Sequence, residues 1–157
     1  MGKRDPIPTW YFALVVVRLG RRFLIVQETK HEQLWYLPAG RAEAGETLVE
    51  AAIRETREEA GIDVVIEGVL RLEHSPARDG SRVRAIFVAR PRDDAALKNV
   101  ADEHSRCAEW ATLEDLASYE LRGDEVREIF TYVANGGPIH PLDVLTREAD
   151  PWPVRKG

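Results

Sequence analysis

The chain has 157 residues, 44% of them hydrophobic and 31% charged, with a net charge of −5. That length and balance describe one globular domain and exclude two independent catalytic domains, a fibrous chain and a disordered one. The acidic sum argues against duplex nucleic acid gripped through its phosphates, and a lone cysteine, Cys107, cannot close an internal disulfide, so a reducing, cytoplasmic setting is expected.

Met1 to Pro8 is polar, with no apolar stretch behind Lys3 and Arg4, which is not a secretory pattern. Pro6 stands where a myristoylation signal after Met1-Gly2 needs Ser or Thr. No apolar run approaches the roughly 20 residues that a membrane-spanning helix requires, so no membrane partner is expected.

Trp10 to Leu19 and Phe23 to Glu28 are rich in β-branched and aromatic residues around Gly20, and read as a hairpin. A brief strand, Leu34 to Leu37, stops at Pro38 and feeds a loop, Ala39 to Glu46. Thr47 to Ala60 reads as a helix closed by Gly61. Strands follow at Ile62 to Glu73 and Arg82 to Ala89, antiparallel about a turn at Ala77 to Gly80. After a polar connection, Arg90 to Asp102, come a short strand at Cys107 to Ala111 and a short helix at Thr112 to Ser118, with Thr112 at the N-cap. A second full helix spans Asp124 to Val133 and ends at Asn135-Gly136-Gly137. The core is expected over residues 10–134, with 135–157 as a proline-containing tail that lies extended on the domain or is partly disordered. Strands and helices in this order give an α/β or α+β sandwich in a single domain.

The central helix carries the chemistry. At about 100° per residue, Glu55, Glu58 and Glu59 fall at about 0°, 300° and 40°, three carboxylates on one face. Val49, Ile53, Thr56 and Ala60 fall between about 100° and 160° as an apolar stripe, and Glu50, Arg54 and Arg57 between about 200° and 260°. Ala51 and Ala52 flank the acids one turn earlier, which is expected to leave room for a ligand. Carboxylates at i, i+3 and i, i+4 repel, and a divalent cation is the strongest compensator. Hard oxygens suit Mg²⁺ or Mn²⁺, which would also neutralise an anionic substrate that the acidic protein cannot. The alternative is a solvated acidic face paired with Arg54 and Arg57. The preceding loop favours a site, because Gly40 and Gly45 let backbone approach a polyanion near the helix N-terminus.

Gly40, Glu46, Arg54, Glu55, Glu58, Glu59, Gly61 and Ile62 stand at the spacing G-x5-E-x7-R-E-U-x-E-E-x-G-U, where U is a bulky aliphatic residue. By that motif the chain resembles the Nudix hydrolase superfamily. Thr56 is the one departure, at an aliphatic position on the core stripe. The resemblance implies the Nudix fold, an α/β/α sandwich around a mixed β-sheet, and hydrolysis of a nucleoside diphosphate linked to a further group with Mg²⁺ or Mn²⁺. Carried over by position, it implies Glu58, Glu59 and the Ala39 carbonyl as metal ligands, and Glu55 as a ligand or as the base that deprotonates the attacking water. It also implies that Arg54 orients Glu58 and Glu46, with Gly40 and Glu46 on the substrate side. Some members place the base on a loop outside the motif, where Glu103 is the candidate.

Leu34 to Ala52 and Tyr132 to Leu145 resemble the small phosphatase branch, the NudJ type, whose members release phosphate from nucleoside di- and triphosphates and from hydroxymethylpyrimidine diphosphate. Pro38 to Gly40 and Pro76 also resemble ADP-ribose pyrophosphatases, so ADP-ribose or another nucleotide sugar is the alternative substrate. A nucleotide-sensing Nudix module without catalysis is a second alternative, disfavoured because Arg54 and all three helix acids are retained. The expected partner is a small phosphorylated molecule, and the protein a monomer or homodimer.

Other residues have plainer readings. Trp35 and Tyr36 read as core anchors before they read as base-stacking groups. Arg84, with Arg18 and Arg78, is a candidate for holding a distal phosphate, although scattered arginines are usually solvated. His74 reads as a satisfied surface histidine, His31, His104 and His140 have no metal-ligand spacing, and Cys107 reads as a small buried hydrophobe.

Overall fold

The computed structural model describes residues 4–154, so the expectation for Met1-Gly2 lies outside it. Strand β1 (Thr9–Leu19) organises the rest. Its stretch Ala13–Val17 is buried on both faces, which explains an unbroken apolar run in place of alternation. β1 pairs in parallel with β6 (Gly80–Pro91) from Thr9 to Val17, and in antiparallel with β4 (Ala39–Arg41) through Phe12, Ala13 and Leu14. It meets β2 (Arg22–Glu28) only at Arg18 and Leu19. The expected hairpin is therefore present, but its strands separate at once, and β4 takes the vacated edge. That edge was expected to be loop; three residues of it are strand.

β2 lies between β3 (Trp35–Tyr36) and β7 (Ser105–Ala111), and β5 (Val64–Ala77) lies outside β6, so the sheet is mixed, with its main order β3-β2-β1-β6-β5. β5 and β6 run further than expected, to a two-residue turn at Arg78-Asp79, and Pro76 is tolerated because β5 is an edge strand. β7 begins two residues earlier than expected, at Ser105.

One helix covers each face. Ala13, Val15, Val17, Leu24 and Val26 point to the side of α1 (Leu48–Ala60), while Leu14, Val16, Phe23 and Ile25 point to the side of α2 (Glu125–Ala134), the two-residue period of a strand. Val126, Phe130 and Val133 form the buried stripe of α2, and Phe130 stacks on Phe23 with ring centroids 4.6 Å apart. This is the expected α/β/α sandwich around a mixed sheet.

α1 starts where its sequence says. Glu50 N donates to Thr47 Oγ1 at 3.2 Å, Thr47 N donates to Glu50 Oε2 at 2.8 Å, and Gly61 closes the helix at φ +75°. Such a cap contributes about 1 kcal/mol. Its buried residues are Ala51, Ala52, Thr56 and Ala60. Ala51 and Ala52 thus do not leave space for a ligand; they are small because α1 lies tightly on the sheet. Val49 and Ile53 are only partly buried at its margin. Thr56 costs the core no orphan donor, since its Oγ1 donates to Ala52 O at 2.8 Å.

Thr112 N donates to Asp115 Oδ2 at 2.8 Å and Asp115 N to Thr112 Oγ1 at 3.2 Å, but the segment closes only a 3-10 turn, Asp115–Ser118, whose N-cap is Glu114 and not the expected Thr112. The tail lies on the domain as far as Leu145, whereas residues 146–154 are exposed, and 155–157 are outside the described range. Val69 and His140 exchange both backbone hydrogen bonds at 2.8 Å, and Leu142 and Leu145 pack on the α1-side core. Gly68 permits this crossing: a Cβ there would lie 2.3 Å from Ile139 Cγ2. Among the described residues no helix is long and apolar enough to cross a membrane.

Candidate active site

β4 brings the main chain against the acid face of α1. A Cβ on Gly40 would lie 1.9 to 2.3 Å from the Glu55 carboxyl atoms, so any larger residue there would have to displace that carboxylate. One residue earlier, Ala39 N donates to Glu59 Oε2 at 3.0 Å. The strand pairing with β1 therefore fixes Ala39 and Gly40 beside two helix acids one turn apart.

On the other side of those acids, Arg54 acts as a hub. Its Nε donates to Glu46 Oε1 at 2.7 Å and its Nη2 to Glu46 Oε2 at 2.9 Å, while Nη1 reaches Glu55 Oε1 at 2.8 Å and Glu58 Oε2 at 3.0 Å. Nη2 also donates to Arg41 O at 3.0 Å, which ties the loop to the helix. These bonds, led by Glu46, hold the guanidinium firmly protonated, and Arg54 in turn holds the Glu46 carboxyl below its ordinary range. Glu46 is thereby engaged as the clamp of Arg54 and does not line the cleft described below.

Glu55 and Glu59 respond differently. Burial raises the Glu55 carboxyl, with Arg54 opposing. Glu59 is pushed well above the ordinary range by burial first, then by the neighbouring Glu55, Glu28 and Glu58, and only the Ala39 N–H opposes this among its principal influences. Among the described residues Glu59 makes no ion pair: Arg54 serves the other acids. An enclosed carboxylate surrounded by acids calls for a cation.

A second observation agrees. Glu28 Oε2, at the end of β2, is buried without a hydrogen-bond partner. Glu28 pairs with Ser105 across β2 and β7, and Ser105 Oγ donates to Glu59 O at 2.6 Å, so the two acids are near neighbours. Glu55, Glu58, Glu59 and the Ala39 carbonyl offer hard oxygens of the kind that Mg²⁺ or Mn²⁺ takes, but among the described residues no three acidic, histidine or cysteine side chains are gathered closely enough to hold an ion as they stand.

Of these groups Glu59 and Ala39, with Gly40, line a cleft of about 320 Å³ together with Lys30, Arg82, Arg84, Arg122, Phe12 and Tyr36, whereas Glu55 and Glu58 are not among its lining residues. Arg84 is in the cleft wall as expected, but its nitrogens are engaged. Nε donates to Glu73 Oε1 at 2.6 Å, Nη1 to Glu125 Oε1 at 3.2 Å and Nη2 to Glu125 Oε2 at 2.9 Å. Arg84 lowers the Glu125 carboxyl, and the Tyr36 hydroxyl, raised chiefly by burial, donates to that same carboxylate. Glu103 stands at the rim with its side chain 87% exposed, 3.5 Å from His104 Nε2, while His104 Nδ1 is 3.6 Å from Glu58 Oε2.

The remaining candidates lie elsewhere. Arg18 Nε donates to Gly20 O at the hairpin, Arg78 is exposed at its turn, and His74 Nε2 sits 3.2 Å from Ser81 Oγ. Trp35 packs edge-on against Tyr119 at 4.9 Å, and Tyr36 is buried, so the anchor reading holds for both. Cys107 is only half-buried, its thiol directed at Gln27 Oε1 and raised by burial; a polar neighbour rather than the core receives it. Sequence reading missed Glu28, Arg122 and the Tyr36–Glu125–Arg84 group. Glu28 and Arg122 pair across 94 positions, and nothing local in either segment marks them as partners.

Comparison with known proteins bears on the fold and the family. The model of the NUDIX domain matches residues 9–132. The phosphatase NudJ of Escherichia coli K12 is 33% identical over 144 residues, covering 90% of this chain and 92% of NudJ. Human 8-oxo-dGDP phosphatase NUDT18 is 46% identical over 90 residues, 55% of this chain; the match spans only 27% of NUDT18, and 34% of putative nudix hydrolase 1 of Caenorhabditis elegans. Among solved structures, a NUDIX hydrolase from Nitrosomonas europaea superposes with a TM-score of 0.72 at 21% identity, covering 89% of this chain and 97% of that one.

Proposed function

The chain belongs to the Nudix family, and from that premise we propose that it is a divalent-metal-dependent hydrolase that cleaves a phosphoanhydride bond of a nucleoside di- or triphosphate, or of a related small diphosphate, by attack of water. The observation that carries the reading is Glu59, an enclosed carboxylate without an ion-pair partner among the described residues, in the same cleft as a wall of cations. The names of NudJ and NUDT18 supply support for a phosphatase of nucleoside diphosphates.

Glu58, Glu59 and the Ala39 carbonyl would hold Mg²⁺ or Mn²⁺, with Glu55 a further ligand where it is not the base; the ion when bound neutralises phosphate charge and makes a coordinated water more acidic. The protein supplies position and proton transfer. Glu55, its carboxyl raised by burial, accepts a proton from the attacking water, and Glu103 at the rim is the alternative base. Arg54 keeps Glu46, Glu55 and Glu58 from recoiling from one another. Gly40 lets the main chain approach the reacting groups, and Arg84 holds the substrate-side wall through Glu73 and Glu125. Phosphoryl hydrolysis needs little more than this.

The test is a panel of nucleoside di- and triphosphates, ADP-ribose, dinucleoside polyphosphates and hydroxymethylpyrimidine diphosphate with Mg²⁺ or Mn²⁺, reading phosphate and pyrophosphate separately. Metal-dependent release that Glu59→Gln abolishes is the expected result. Absence of product from every compound, with the protein folded, overturns it. Preference for ADP-ribose would move the assignment to nucleotide-sugar cleavage.

A further inference from the structure

Four cations line the cleft, and they differ in what they have left to offer. Arg84 has every side-chain nitrogen on a carboxylate. Lys30 is an exposed rim residue on a flexible stem, and Arg82 is exposed, its guanidinium 4.7 Å from the Phe12 ring centroid. Arg122 alone among them is both fixed and unsaturated.

Its main chain is fastened to the sheet. Trp35 N donates to Glu120 O and Arg122 N donates to Trp35 O, each at 2.8 Å, so residues 120–122 lie as a parallel extension along β3. Gly123, at φ +85°, then turns the chain into α2. The side chain is fastened as well: Nη1 donates to Glu28 Oε1 at 2.8 Å, and the guanidinium carbon lies 5.1 Å from the Tyr36 ring centroid. Tyr36 is itself held by Glu125.

The pair with Glu28 is end-on, through one nitrogen and one oxygen. Arginine–carboxylate pairs frequently close as a two-bonded fork; here Nε and Nη2 have no acceptor among the described residues, and Glu28 Oε2 has no donor. Arg122 is 42% exposed and Glu28 only 14%, so the carboxylate is the anchored base of the pair and the guanidinium faces the cleft. Through Ser105, Glu28 is also next to Glu59, which puts the arginine on the side of the helix acids.

We propose that Arg122, its guanidinium held against the Tyr36 face, grips a phosphoryl oxygen of the substrate with its free nitrogens, and that Glu28 is its positioning residue. This deepens the hydrolase reading and rests on it for the nature of the substrate. A planar fork already held in plane loses little freedom on binding a phosphate, which a lysine at the same place could not match.

The experiment measures calorimetric affinity for imidodiphosphate, a pyrophosphate analogue that resists hydrolysis, with Mg²⁺ and in EDTA, beside kcat and KM on the best substrate. The variants are Arg122→Ala, Arg122→Lys, Glu28→Gln and the double Glu28→Gln/Arg122→Ala, each checked for folding by circular dichroism. Arg122→Ala should weaken imidodiphosphate at least about tenfold, Arg122→Lys should recover only part, and the double variant should be no weaker than Arg122→Ala alone, because a positioning residue has nothing to position once its partner is gone. Affinity of Arg122→Ala within twofold of the wild type overturns the grip. Losses that multiply in the double variant overturn the positioning role. A wild type that binds imidodiphosphate through Arg122 yet hydrolyses nothing would remove the hydrolase reading and leave the grip standing.

Discussion

Ala39 N donates to Glu59 Oε2 at 3.0 Å, and this is the only bond the main chain or any side chain among the described residues makes to that carboxylate. The acid on which the proposed chemistry depends is thus held by one neutral donor in an enclosed place. Its folded-state pKa is raised, so the folded chain holds the Glu59 proton more tightly than the unfolded one does. The stabilisation from this group is complete below the ordinary carboxyl value of about 4.3 and is lost as pH rises through the raised value. Without metal, Tm should therefore fall from mildly acid to neutral pH, and Glu59→Gln should flatten that fall and raise the neutral Tm by a few degrees. The same variant should lose Mn²⁺ binding measured by electron paramagnetic resonance. A variant that is less stable than the wild type at neutral pH without metal would contradict this.

Gly40→Ala tests the close approach of β4 to α1. The added Cβ would overlap the Glu55 carboxyl atoms, and strand pairing with β1 prevents β4 from moving away. Loss of about 2 kcal/mol in urea unfolding is expected, together with turnover reduced by at least about tenfold. Wild-type activity in this variant would show that Glu55 has another place to go.

Replacing Arg54 with Gln removes the common partner of Glu46, Glu55 and Glu58. These groups are mostly shielded from water, so leaving three acids unpaired should destabilise the protein by about 3 kcal/mol without metal. Saturating Mg²⁺ should restore part of this, which differential scanning fluorimetry with and without the ion would read.

Glu55→Gln and Glu103→Gln separate the two candidates for the base. Glu55 has 12% of its side chain exposed and a raised carboxyl, whereas Glu103 is 87% exposed. Glu55→Gln is expected to lower kcat by at least about 100-fold, and Glu103→Gln by less than about tenfold. The reverse order, with loss of the acid limb of the pH–rate profile only in Glu103→Gln, would transfer the role to the rim.

Gly68→Ala tests the tail. Its Cβ would strike Ile139 and His140 O and lift the strap from β5. Destabilisation of about 1 to 3 kcal/mol is expected, with faster proteolysis after residue 137 and little change in kcat, because the cleft lies elsewhere.

The sequence alone determined what is local. Thr47 with Glu50 at one end of α1 and Gly61 at the other bound the helix without help from the rest of the chain, and helical spacing put Glu55, Glu58 and Glu59 on one side. The motif from Gly40 to Ile62 carries the family for the same reason: its positions are near in sequence because they are near in space. Tertiary structure decided what those groups face. Ala51 and Ala52 looked like free space from the helix wheel and proved to be the contact with the sheet, since a wheel shows directions but not what fills them. Arg84 looked like an available cation until β5 and α2 brought Glu73 and Glu125 to it. Arg122 and Glu28, each unremarkable in its own segment, became a pair only when the chain laid residues 120–122 along β3, because contacts between segments 94 positions apart are fixed by packing of the sheet and leave no periodicity in the sequence to read.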